Sequence, residues 1–110
     1  VPHAIFKKAG GFDEHYFLFN EDIDLCRAIG QNGFKVIYFP LAKITHHVST
    51  SNSKVPARII IKRHHGMKHY YEKHHGKNPL TKMAVNFAIT LRCLSQLAFN
   101  IFKGTRGAIK

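Results

Sequence analysis

The chain has 110 residues, a formal net charge of +11, nine Phe, four Tyr and two Cys. That length allows one domain at most, with a modest core, and a hydrophobic share of 45% excludes a disordered chain. The charge is divided: five Lys or Arg cancel five acids over residues 1–50, while twelve face Glu72 alone over residues 51–110 and supply the whole excess.

A neutral half followed by a basic half suggests two roles in one chain. The basic half suits phosphate, whether of nucleic acid, anionic lipid or a diphosphate substrate. The opening VPHAIFKKAGGFDE has neither an initiator Met nor the charged start and apolar run of a signal peptide, and reads as cut from something longer. Cys26 and Cys93 lack metal-type spacing and read first as free thiols of a reducing cytoplasm, with one disulfide as the alternative.

Taken in order, Gly10-Gly11 breaks the chain, and Phe12, Tyr16, Phe17 and Phe19 form an aromatic patch in a loop or short helix, with at least two of the last three expected in the core. Asn20 is the expected N-cap of a helix with Glu21, Asp22 and Asp24 in its first turn. Ile23, Leu25, Ala28 and Ile29 give that helix a buried side, and Gly30 with Gly33 ends it. Phe34 to Phe39 reads as a strand stopped by Pro40, and Ala42 to Val48 as a second short strand. After Pro56 a basic helix is expected from about Ala57 to His75, stopped by Gly76-Lys77-Asn78-Pro79. A last helix runs from about Leu80 to Phe102. Three segments result: residues 1–53, the basic His-rich residues 54–78, and the amphipathic residues 79–110.

Five of the six acids, Asp13, Glu14, Glu21, Asp22 and Asp24, fall within twelve positions. Helix capping explains one or two of them, each worth about 0.3–1 kcal/mol. At about 100° per residue, Glu21 and Asp22 point in different directions, so both cannot enter the core. On residue types alone, capping and catalysis stand level.

The string GGFDEHYFLFNEDIDLCRAIGQNGFKVIYFPLAKITHH closely resembles the C-terminal catalytic segment of family 2 glycosyltransferases, more narrowly the bacterial rhamnosyltransferase-like members that build surface polysaccharides. The matching elements are Gly10 to Glu14, Phe17 and Phe19, Glu21-Asp22, Asp24-Leu25, Arg27, Gly33, Val36 to Phe39, Pro40-Leu41-Ala42 and His46. They cover roughly residues 9–53. The resemblance implies an α/β fold, the C-terminal part of the GT-A type with short strands, a catalytic helix and further helices behind it.

It also implies inverting transfer of a sugar from a nucleotide-diphosphate donor to an acceptor hydroxyl, on a glycan or a polyprenyl diphosphate. Such a displacement needs one carboxylate to take the acceptor proton. The resemblance gives that role to Asp22, with Glu21 as its supporting neighbour. Asp24 either orients the acceptor or caps the helix, and the cap is preferred. His46 would help hold a divalent cation, Mg or Mn, at the donor diphosphate. The carboxylates that share this ion form an Asp-x-Asp motif absent from its usual place, since Asp22-Ile23-Asp24 occupies the base position. The isolated chain is therefore expected to be inactive.

Other residues have double readings. Gly10 and Gly11 admit sugars close to the backbone or simply make a turn, and Phe19 either stacks on a sugar or packs. Arg58, Lys62, Arg63, Lys68 and Lys73 are available to a diphosphate or to headgroups. His65 and His69 have helical ligand spacing but read as solvated surface. In the last helix Met83, Phe87, Leu91, Leu94, Ala98, Ile101 and Phe102 share one side, and Arg92 with three amides argues against spanning a bilayer. An in-plane membrane anchor or a packing helix fits, placing the protein in the cytoplasm on the inner face of the cell membrane. Nucleic acid is not the expected partner; the alternative function is a non-catalytic basic module that binds nucleic acid or anionic membrane.

Overall fold

The computed structural model describes residues 1–45 and 55–106. Its regular elements are helices: α1 (His3–Lys8), α2 (Glu21–Gln31), α3 (Ala57–His75) and α4 (Pro79–Arg106).

Local chemistry sets their ends. Gly33 adopts φ 83° after α2, which lets Phe34 N–H reach back to the Ile29 carbonyl at 3.2 Å and closes the helix with a glycine in the left-handed region. Asn78 caps α4: its side-chain oxygen accepts from Leu80 N–H at 2.9 Å, and Pro79 follows where a missing N–H loses nothing. Asn20 occupies the position before α2 but does not cap it through its side chain. Its φ of 70°, after 67° at Phe19, turns that side chain away from the helix.

The expected α/β class is overturned: among the described residues there is no strand. Residues 34–39 carry no regular structure, and Val36, Ile37, Tyr38 and Phe39 are all exposed. Their composition suits a strand, but a strand is held by hydrogen bonds to a neighbouring one. No second extended segment lies alongside among the described residues, so the GT-A-type arrangement with short strands is not formed here. Part of the second expected strand, and His46 with it, lies outside the described residues.

α3 and α4 form an antiparallel hairpin. Arg63 on α3 bonds Gln96 on α4, Lys68 donates to Thr90 at 2.8 Å, and Asn86 donates to Glu72 at 3.1 Å. The loop from Gly10 to Asn20, together with α2, lies on another face of α3. The buried apolar residues are Tyr16, Leu25, Ile29 and Ile60. α2 thus buries Leu25 and Ile29, as expected, together with Asp24; Ala28 is half-buried, and Ile23, expected on the same side, is exposed. Of the aromatic patch Tyr16 alone is buried; Phe17 and Phe19 are exposed.

Candidate functional site

Gly66 is the reason the aromatic loop can sit on α3. A Cβ there would meet Asn20 Nδ2 at 3.0 Å and the Phe19 carbonyl oxygen at 3.5 Å. The gap is one of close approach, which a glycine inside a helix provides at the expense of helix propensity. On either side of it, Lys62 Nζ lies 5.2 Å from the Phe17 ring centre and the Arg63 guanidinium 6.0 Å from that of Phe19, both within cation–π reach.

Further along the same face, charge does the fastening. Lys73 Nζ donates to Asp13 Oδ2 at 2.6 Å and to Asp24 Oδ2 at 2.8 Å, while His74 Nε2 bonds the other oxygen of Asp24. Asp13 also accepts from the His15 N–H at 3.0 Å and pairs with the His15 and His69 rings at 2.8 and 3.1 Å. Lys73 therefore joins the GGFDE loop, α2 and α3 at one ammonium group. Arg27 adds a bond to His75 Nε2 at 3.1 Å.

These contacts set the acidities. The Lys73 hydrogen bond holds the Asp13 carboxyl far below the usual carboxylate range, with help from the His15 N–H and the two rings. Burial alone would raise Asp24, but Lys73 and His74 outweigh it and hold it low. Burial would lower Lys73, and its two carboxylate partners raise it instead. Burial, with the Asp24 charge nearby, pushes the Tyr16 hydroxyl up to about 12.

Gly10, Gly11, Asp13, Asp24, Lys73 and His74 line a cleft of about 410 Å³ together with Ala9, Ala28, Gln31 and Asn32. Gly10 and Gly11 have φ of 88° and 72°, so this turn needs glycine whatever else it does. Three residues singled out in the sequence, Gly10, Gly11 and Asp24, thus meet at one place. Glu21 and Asp22 are not among the lining residues. They sit in the first turn of α2, Asp22 exposed and accepting the Ile23 N–H at 2.9 Å, Glu21 half-buried with one carboxylate oxygen enclosed and unpartnered. Arg58 is exposed at the start of α3 and Lys62 lies over Phe17.

Lys73, expected to be available to a diphosphate or to headgroups, is committed to two carboxylates instead; Lys68 and Arg63 bond α4. His74 was not singled out at all. The signal was present: the acid cluster and the basic helix are of opposite sign, and His69 and Lys73 lie four apart on one helical face. Asp24 is an internal ion-pair partner rather than a simple cap.

The described residues offer one group for a metal ion: Asp13, His15 and His69, whose ligand atoms lie within 4.8 Å of one another. Lys73 already occupies the same Asp13 carboxylate.

The comparisons with known proteins give a class first: sugar transferases, and among them rhamnosyltransferases. The chain is 38% identical over 64 residues to the N-acetylglucosaminyl-diphospho-decaprenol L-rhamnosyltransferase of two Mycobacterium tuberculosis strains, CDC 1551 / Oshkosh and H37Rv. That stretch is 58% of this chain and 21% of each relative. It is 36% identical over 52 residues to rhamnosyltransferase WbbL of Escherichia coli strain K12, covering 47% of this chain and 20% of that protein. The matches therefore span about a fifth of the length of these curated relatives, and the resemblance to rhamnosyltransferases seen in the motif run holds. No protein-family model matches the chain, and no solved structure matches it.

Proposed function

We propose that this chain is a catalytic segment of a rhamnosyltransferase-type glycosyltransferase acting in bacterial cell-surface polysaccharide synthesis. The observation that carries the reading is the 38% identity over 64 residues to proteins named for L-rhamnosyl transfer. Their name includes N-acetylglucosaminyl-diphospho-decaprenol, which supports a polyprenyl-diphosphate-linked glycan as acceptor. The donor is a nucleotide-diphosphate sugar.

In an inverting displacement the acceptor hydroxyl attacks the anomeric carbon, a new C–O bond forms, and the bond to the diphosphate breaks as the nucleotide leaves. The acceptor proton passes to a carboxylate. Asp22 suits that task better than its neighbours. Asp13 and Asp24 are ion-paired to α3, whereas Asp22 is exposed with one oxygen bonded only to the next N–H. Glu21 stands beside it in the first turn of α2 as its supporting neighbour.

A divalent cation of the donor diphosphate would take His46 as one ligand and offset charge on the departing group. The carboxylates present do not complete its site: the one Asp-x-Asp sequence includes Asp24, which Lys73 and His74 already hold. The 110 residues alone are expected not to turn over donor.

Asp22→Asn, introduced into the protein at its full natural length, is expected to lower sugar transfer by about 10²–10⁴-fold, the usual contribution of a positioned base. Helix content by circular dichroism should stay unchanged. Retained turnover would remove Asp22 from the role.

A further inference from the structure

α4 turns a large part of its apolar surface away from α3. At about 100° per residue, Leu80, Met83, Phe87, Leu91, Leu94 and Ile101 fall on one arc, with Ala84 and Ala98 between them. All six are exposed, from 58% at Leu91 and Leu94 to 71% at Leu80. The opposite side, which meets α3, holds the amides of Asn86 and Gln96 and the ammonium of Lys82, bonded to Glu72 and Arg63. Asn100 adds a bond to the Val55 carbonyl at 2.8 Å. These polar groups bridge the two helices beside the half-buried Val85, Ile89, Cys93 and Leu97, and an apolar stripe faces outward. A contiguous apolar face of this size marks a surface that another phase or molecule covers.

We infer that this stripe lies in the plane of an anionic lipid bilayer. Charge selects that occupant. Residues 55–106 carry ten Lys or Arg against Glu72 alone, which attracts anionic headgroups. A second copy of the chain would bring two strongly positive hairpins together. Residues Pro79–Phe102, with a mean hydropathy of 1.3, are long and apolar enough to cross a membrane. The hairpin forbids it: α3 runs along α4, so crossing would carry Arg63, Lys68 and Glu72 into hydrocarbon or break their bonds, and charge there is costly. Lying flat buries the stripe and leaves α3 in water. This inference stands on the α4 geometry and is independent of the transferase reading.

The chain has no Trp, so Phe87→Trp supplies a single reporter in the full 110-residue chain. With phosphatidylglycerol–phosphatidylcholine vesicles, co-sedimentation and a blue-shifted emission are expected, falling at least about tenfold in pure phosphatidylcholine. Lipids brominated near the headgroup should quench the emission more than lipids brominated near the chain ends. Leu91→Asp should weaken binding by about 30-fold or more through lost apolar burial, with helix content unchanged because Leu91 faces away from α3. Absence of binding to anionic vesicles overturns the inference, and a dimer by light scattering in that case names a second copy as the occupant. Stronger quenching from the chain ends, or full binding by Leu91→Asp, overturns it equally.

Discussion

Lys73 is the residue on which the N-terminal half depends. Its ammonium group touches Asp13 from the loop and Asp24 from α2, and the Asp24 side chain is only 6% exposed. Removing it leaves a nearly buried carboxylate with His74 as its remaining ion-pair partner. Breaking a fully buried pair costs about 3–5 kcal/mol. Because Lys73 itself is more than one-third exposed, screening reduces that, and Lys73→Met is expected to destabilise by about 2 kcal/mol. Urea unfolding followed by circular dichroism measures it; a change under about 0.5 kcal/mol, the usual size for a surface site, would show the bridge to be incidental. The sequence made the acid cluster legible as a feature but not the division of labour inside it. Asp13 and Asp24 look no different from Asp22 along the chain, and only the approach of α3 separates the paired acids from the exposed one.

At the scale of elements, α3 is the platform for everything else. One row, Lys62, Gly66, His69 and Lys73, receives the loop, while Arg63, Lys68 and Glu72 receive α4. Gly66 fixes how closely the loop sits, and the strained pair Phe19 and Asn20, at φ 67° and 70°, lies directly over it. A non-glycine residue in that region costs about 1–2 kcal/mol, so the loop holds this shape only while its seat on α3 is intact. Gly66→Val is expected to cost about 1–3 kcal/mol by overpacking and to expose Tyr16, which a downward shift of its hydroxyl titration from about 12 would register. An unchanged titration would mean the loop does not depend on that glycine. Helices α2, α3 and α4 were readable because periodicity, Pro56 and the Asn78-Pro79 boundary act locally, whereas the six-residue α1 carries no such signal and was not expected. The segment Phe34 to Phe39 misled because β composition describes a surface waiting for a partner strand, and pairing is not a local property. The outward stripe of α4 was half legible: a wheel separates it from a polar side on which Ile89 and Cys93 intrude, but which side meets α3 is decided by Arg63, Lys68 and Glu72.

Across the whole molecule, the two halves of the charge pattern are joined where the acid cluster meets the basic helix, and this predicts how the fold responds to pH. Asp13 and Asp24 are both held below their ordinary values. Their contribution is therefore complete above the unfolded carboxyl value of about 3.9 and is lost as pH falls through the folded values. Lys73, held high, contributes fully below its unfolded value of about 10.4 and loses that contribution only as pH rises through its folded one. Between these limits Asp13, Asp24 and Lys73 keep their charges. Below about pH 4 the bridge's contribution begins to shrink, and it goes on shrinking down to the lowered folded values, while all seventeen Lys and Arg stay charged and self-repulsion grows. The α3–α4 hairpin is held largely by amide, hydroxyl and guanidinium contacts, with Glu72, lowered by Asn86 and Lys82, as its one carboxylate among the described residues. Acid should thus release the N-terminal half first. Hydrogen exchange followed from pH 7 downward is expected to show α2 amides losing protection at a higher pH than the centre of α3. In Lys73→Met that acid step should flatten, because the carboxyls then lose the partner that lowers them. Simultaneous loss of protection in α2 and α3, or an unaltered step in the variant, would mean that something other than the Asp13–Lys73–Asp24 bridge joins the two halves.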